Sequence, residues 1–158
     1  MTISDTDPYT WKELRRRSEF TGEKLWLQTP FVPISGMLAS TEATALSYFL
    51  AGADGWSIRE TIGRPENWLR ATHQSLLYCG TPLGTETAVS SMRLKMLRRT
   101  VQDIEYMFLL QKKMGWNRKQ LADFLHRQLP ALAQHPEDID SRDLYLLRRS
   151  VQQALDAP

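Results

Sequence analysis

The chain has 158 residues, enough for one domain with a sizeable core but too few for two large domains. Its 42% hydrophobic and 24% charged residues exclude a disordered chain, and a formal net charge of +2 excludes a strong overall field for nucleic acid or anionic membranes. Cys79 is the only cysteine, which excludes an intrachain disulfide and a zinc site built on thiolates. No signal peptide or membrane span is predicted, so cytoplasmic location is the default expectation.

The first half of the sequence predicts helices that alternate with short strands. A polar, disordered tail over residues 1–10 comes first. The elements that follow are a helix over 11–20, a strand over 24–28, a helix from 40 or 41 to about 50, a strand over 56–58 and an apolar run over 76–80. Strands that alternate with helices favour parallel βαβ packing over a free helical bundle.

The second half predicts three helices, over about residues 88–113, over 117–129 and from 141 onwards. Asn117 and Gln120 have capping-box spacing, and Ser141 is the expected cap of the last helix. That last helix carries its apolar residues on one side, at Leu144, Leu147 and Val151.

The long helix has apolar residues on two sides. The first side is predicted to hold Leu94, Leu97, Val101, Ile104 and Phe108, and the second Met96, Tyr106, Met107 and Leu110 together with Arg99 and Asp103. We therefore expect this helix to lie between a sheet and a further layer.

Glu105 projects into the first apolar side of that helix. Because burying a lone carboxylate costs several kcal/mol, we expect Arg98 or a backbone donor to pair with it. On the second side, Arg99 and Asp103 are spaced i,i+4 and are expected to pair with each other.

The segment "SMRLKMLRRTVQDIEY", residues 91–106, resembles the end of the catalytic domain of glycoside hydrolase family 123 and its uncharacterised relatives (domain of unknown function 4091). The matching residues are Ser91, Arg93, Leu94, Leu97, Arg98, Asp103, Glu105 and Tyr106. Thr100 stands where that pattern has glycine, and Ile104 replaces its first tyrosine. Upstream, "GEKLW", "AGADGW" and "LLYCGTPLG" are similar to further motifs of the family in the same order, so the resemblance covers about residues 22–111.

The resemblance implies an α/β fold, namely the last part of a (β/α)₈ TIM barrel. Residues 11–115 would supply its last two strands with the connecting and closing helices, and residues 116–158 would form a helical extension. A whole barrel needs about 250 residues, so the chain is expected to be a fragment, a split gene product or a degenerate remnant.

The implied activity is hydrolysis of N-acetylhexosaminide-type glycosides, which in the family depends on an adjacent Asp-Glu pair on an earlier strand. No Asp-Glu dipeptide occurs in this sequence, so we assign no catalytic residue and expect the chain to be inactive alone. The alternative is a non-enzymatic helical interaction module or barrel remnant. The expected partners are a carbohydrate and either the missing N-terminal part of the barrel or a second copy of the chain.

Four residues are candidates for substrate binding because they lie at or near the ends of the two predicted strands: Gln28, Trp56, Arg59 and Glu60. A structural role is expected for Arg93, Arg98, Asp103, Glu105 and Tyr106, and Trp26 is expected in the core. No cofactor is expected. His73, His126 and His135 lack metal-ligand spacing, so no metal is expected either. No membrane partner is expected, and the paired arginines are attributed to solvated helix faces, not to nucleic-acid binding.

Overall fold

The computed structural model describes residues 8–29, 38–58 and 75–157. Within these ranges the chain is mostly helical, with two sheets of two strands each. The elements are α1 (Pro8–Thr21), β1 (Trp26–Thr29), α2 (Leu38–Ala51), β2 (Gly55–Ile58), β3 (Leu77–Tyr78), β4 (Val89–Ser90), α3 (Met92–Met114), α4 (Arg118–Gln128), α5 (Ala131–Gln134) and α6 (Ser141–Asp156). None of the helices in these ranges combines the length and apolar character needed to cross a bilayer.

The strands β1 and β2 are parallel and are connected through α2, which confirms the predicted βαβ packing. Their register runs from Trp26 opposite Gly55 to Thr29 opposite Ile58. The side chain of Asp54 accepts a hydrogen bond of 2.9 Å from the backbone nitrogen of Leu25, which joins the start of β1 to the turn before β2. This bond holds the pKa of Asp54 below its usual range.

Trp26 lies across Gly55 instead of entering the core. A Cβ atom at Gly55 would approach the indole ring to 2.6 Å, so a larger residue there would displace the ring. The side chain of Trp26 is 59% exposed, and the expectation of a core tryptophan was wrong. The physical reason is that, within the described residues, the sheet has only two strands and nothing covers this ring.

The second sheet is the antiparallel pair β3 and β4, whose connection contains a 3₁₀ turn over Thr81–Leu83. Gly80 is required in this connection because a Cβ atom there would lie 2.1 Å from the carbonyl oxygen of Thr87. The apolar run predicted over residues 76–80 thus becomes a short strand followed by a tight turn.

The core is built from helices around α2. Helices α3, α4, α5 and α6 all contact α2, so side chains from residues before and after 115 share one buried cluster. Its fully buried members include Ala43, Leu46, Leu110, Leu121, Leu125, Leu132, Ile139 and Leu144. The predicted inner side of α6 is confirmed, since Leu144, Leu147 and Val151 are all buried.

The buried side of α3 takes residues from both predicted sides. Its buried residues are Arg93, Leu97, Thr100, Asp103, Met107 and Leu110. Leu97 belongs to the first predicted side, and Asp103, Met107 and Leu110 belong to the second. Phe108 is 49% exposed and its ring centroid lies 5.1 Å from that of Phe49 on α2, whereas Val101 is 51% exposed, against the prediction. The polar residues Arg93, Thr100 and Asp103 are buried because each has a hydrogen-bond partner.

Glu105 is exposed, so the expectation that it is a buried carboxylate paired with Arg98 was wrong. Arg98 is exposed as well. Both residues follow the predicted helical spacing, but the helix is rotated so that Asp103, not Glu105, faces the core.

The helix ends agree with the sequence at most positions. Asn117 and Gln120 form the predicted capping box, with two reciprocal bonds of 2.9 Å. At α6 the cap is Asp140 and not Ser141, because the Asp140 carboxylate accepts bonds from the backbone nitrogens of Arg142 and Asp143. Helix α1 begins within the predicted tail, at Pro8, and α5 is a short helix that was not predicted.

Candidate functional site

Three charged side chains meet where helices α2, α3 and α6 pack together. Arg148 of α6 donates from Nε to both oxygens of Asp103 on α3, at 3.1 and 2.9 Å. Its Nη2 lies 2.9 Å from Asp103 Oδ2 and also donates to Oε1 of Glu42 on α2. We call these three residues the charged cluster. Glu42 is completely buried, Asp103 is 8% exposed and the Arg148 side chain is 24% exposed.

The pKa of the Glu42 carboxyl group is raised to about 8, and burial is the largest cause. The neighbouring Asp103 acts in the same direction, while the positive charge of Arg148 opposes the shift. Oε2 of Glu42 is buried without a hydrogen-bond partner among the described residues. At neutral pH the cluster therefore holds a protonated Glu42 and an Arg148–Asp103 ion pair.

A protonated carboxylic acid beside a carboxylate has the composition of a general acid–base pair. In this protein, however, Glu42 has no exposed surface and lies beneath Arg148, so a reacting group in solvent does not reach it. The geometry instead supports a structural role, in which one guanidinium group joins α2, α3 and α6.

An open groove of about 900 Å³ lies beside the charged cluster, between α3 and α6. Arg99 and Tyr106 line it from α3, and Tyr145, Arg149 and Gln152 line it from α6. The two tyrosine side chains are 55% and 58% exposed, so their rings are accessible.

The candidate substrate-binding residues lie elsewhere, on the parallel sheet. Gln28 pairs with Ser57, and Trp56 pairs with Leu27. The two candidates therefore lie on neighbouring strands, one residue apart in register. Trp56 is half-buried. Arg59 and Glu60 fall outside the described residues.

The residues expected to be structural separate into two groups. Arg93 and Asp103 are buried, and Arg93 Nη2 donates to the Ser75 carbonyl oxygen at 2.7 Å and to the Tyr78 hydroxyl at 2.6 Å. Arg98, Glu105 and Tyr106 are exposed. The expected pairing of Asp103 with Arg99 was wrong, because Arg148 reaches Asp103 from the core side.

Sequence reasoning missed Glu42 and Arg148. The available signal for Glu42 was that it is the only charged residue in the sequence of α2, between Ala39, Ala43 and Leu46, which are all buried. A lone acid on an apolar helix face indicates a buried partner. No local signal identified Arg148 as that partner.

One surface group has the residue types of a cation site. His135, Glu137 and Asp138 place potential ligand atoms within 4.8 Å of one another, and His135 Nδ1 lies 3.4 Å from Glu137 Oε1. All three residues are exposed. Exposed groups of this composition are common without a metal, and we assign no ion to it.

Comparison of the chain with protein-family models, with curated proteins and with solved structures gives no match in any of the three. A function therefore has to be inferred from the residues and their arrangement.

Proposed function

We propose that this chain is the C-terminal portion of a glycoside hydrolase-like (β/α)₈ barrel that acts on N-acetylhexosaminide-type glycosides. It supplies two neighbouring strands, the closing helix α3 and the helical extension, while the rest of the barrel supplies the catalytic acid pair. The observation that carries this proposal is the parallel β1–α2–β2 unit.

A (β/α)₈ barrel is built by repeating strand–helix–strand units such as β1–α2–β2. Parallel sheets are ordinarily covered on both faces and contain more than two strands. Within the described residues β1 and β2 pair only with each other, and Trp26 is 59% exposed. Further strands beside this pair would cover the indole ring and satisfy the open strand edges.

Contacts between separate motifs of the family resemblance give further support. Arg93 of the "SMRL" motif hydrogen-bonds the side chain of Tyr78 in the "LLYCG" motif. Ser91 of the same motif begins α3, where its hydroxyl accepts a hydrogen bond of 3.2 Å from the Leu94 nitrogen.

The sugar would bind at the carboxyl ends of the strands, where barrel active sites lie. Gln28 is near the end of β1, and Arg59 and Glu60 directly follow β2 in the sequence. We propose that these residues and Trp56 contact the substrate.

The test is to express the chain alone and together with the polypeptide encoded immediately upstream, and to assay both with 4-nitrophenyl N-acetyl-β-hexosaminides. We expect no turnover by the chain alone and turnover by the complete protein. In the complete protein, Trp56→Ala should lower kcat/KM by about tenfold or more, whereas Glu105→Gln on the exposed side of α3 should not. Turnover by the chain alone would contradict the missing acid pair, and an upstream region without an Asp-Glu pair would contradict the barrel proposal.

A second candidate function is a non-enzymatic interaction module. It is favoured by the helical core, in which α3, α4, α5 and α6 pack around α2. In that case the chain would unfold cooperatively by itself, and the exposed side of α3 with Val101, Phe108 and Leu109 would be available to a protein partner. Cooperative unfolding of the chain alone, together with an upstream region that lacks barrel strands, would favour this candidate.

A further inference from the structure

The groove between α3 and α6 combines cationic groups and ring faces that the proposed function does not use. Arg99 and Arg149 line the groove and are exposed, and neither makes an ion pair with any described residue. Arg148 uses Nε and Nη2 within the charged cluster, while its Nη1 donates to no described group. Three guanidinium groups are thus associated with one concavity.

Helices α3 and α6 run in the same direction, which fixes how the groove residues face one another. Asp103 bonds Arg148, and further along both helices Lys113 donates to the carbonyl oxygen of Leu155. Arg99 and Tyr145 each lie one turn before the Asp103–Arg148 contact. Tyr106 and Gln152 each lie one turn after it. A tyrosine therefore lies at each end of the groove, Arg99 lies at the first end, and Arg149 directly follows Arg148.

The unpaired cations of the groove suit an acidic ligand. Its basic residues are Arg99, Arg148 and Arg149, and its acidic residues are Glu42, Asp103 and Asp156. Arg148 is already paired with Glu42 and Asp103, so Arg99 and Arg149 are the groove's cations without an ion pair among the described residues. The three acidic side chains in the lining disfavour a polyanion such as DNA, so a ligand with a single carboxylate fits the groove better.

We infer that this groove binds a small cyclic carboxylate, with the carboxylate held by the guanidinium groups of Arg99 and Arg149 and the ring held against Tyr106 or Tyr145. Guanidinium groups bind carboxylates through paired, charge-assisted hydrogen bonds. Exposed tyrosine rings provide flat apolar contact at a low cost in side-chain entropy. A sugar acid and an aromatic acid share this chemistry. The inference does not rest on the proposed function.

The experiment is an NMR titration of the full chain at pH 7, in which amide shifts of α3 and α6 are followed. The charged probes are D-glucuronate and benzoate, and their neutral counterparts are D-glucose and benzyl alcohol. We expect saturable shifts with at least one charged probe and binding about tenfold weaker for its neutral counterpart. Tighter binding of glucuronate would identify a sugar acid as the ligand, and tighter binding of benzoate an aromatic acid.

Matched variants locate the binding. Arg149→Gln and Arg99→Gln should each weaken binding about tenfold, whereas Arg142→Gln, an exposed residue of α6 outside the groove, should leave it unchanged. All three positions are exposed, so the variants are expected to fold, and circular dichroism checks this. Equal binding of charged and neutral probes, no effect of either groove variant, or no binding of any probe would each overturn the inference.

Discussion

Replacing Glu42 with glutamine should remove most of the pH dependence of stability between pH 7 and pH 9. In the folded protein burial raises the pKa of Glu42 to about 8, from an ordinary value of 4.5. The folded protein therefore retains a proton that the unfolded chain has already released. Between pH 4.5 and pH 8 the unfolded chain binds fewer protons than the folded protein. The free energy of unfolding therefore falls as pH rises, and this loss levels off above pH 8.

The slope of that loss is about 1.4 kcal/mol per pH unit where the proton is fully retained. Because the folded carboxyl group itself titrates near pH 8, the loss from pH 7 to pH 9 is on the order of 1–2 kcal/mol. With a urea dependence of about 2 kcal/mol per molar, the unfolding midpoint should fall by about 0.5–1 M. This window lies above the range in which His126 titrates, since burial lowers the pKa of that side chain.

Urea unfolding followed by circular dichroism at pH 7, 8 and 9 tests the prediction in wild type, Glu42→Gln and Glu105→Gln. Glutamine has the shape of the protonated acid and does not titrate, so the unfolding midpoint of this variant should change little with pH. Glu105→Gln removes an exposed acid of the same type and should keep the wild-type slope. If wild type and Glu42→Gln lost stability in parallel, the buried carboxyl group would not be protonated at neutral pH.

Three further predictions concern stability, and each is measured by chemical or thermal unfolding at pH 7. Arg148→Met should destabilise the protein by about 3–5 kcal/mol because it removes the counterion of a buried carboxylate. Arg149→Met should change stability by less than about 0.5 kcal/mol. Equal effects of the two variants would show that the charged cluster does not stabilise the fold. Asn117→Ala should cost about 1 kcal/mol through loss of the capping box, and Ser141→Ala should cost less because Ser141 does not cap α6. Tyr78→Phe should cost about 1–3 kcal/mol by removing the hydroxyl that a buried arginine contacts, and an unchanged midpoint would show that this bond contributes nothing.

Local features of the fold were predictable because each depends on residues close together in sequence. Alternation of short strands with a helix predicted the parallel pairing of β1 with β2. The spacing of Asn117 and Gln120 predicted the start of α4. These features require no knowledge of what packs against them.

The inner side of α3 was not predictable from its own sequence. Counting apolar residues placed Val101 inward, where it is 51% exposed, and did not place Arg93 or Thr100 among the buried residues. Polar side chains can occupy a core when partners from other segments satisfy them. For Asp103 the partner is Arg148, which is 45 positions away in sequence, so no helical periodicity encodes the pairing. The candidate groove depends on the same distant pairing, because it forms where α6 docks on α3.

The long separation in sequence between Glu42 and Arg148 has a consequence for synthesis of the protein. Glu42 precedes Arg148 by 106 positions. At a translation rate of about 5–20 residues per second, the ribosome needs roughly 5–20 s to make the intervening chain. During that interval α2 has an apolar surface with a carboxyl group and no guanidinium to pair with it. A compact state of the incomplete chain is therefore favoured only if Glu42 is protonated or solvated. The nascent chain acquires its final helix packing after Arg148 leaves the exit tunnel.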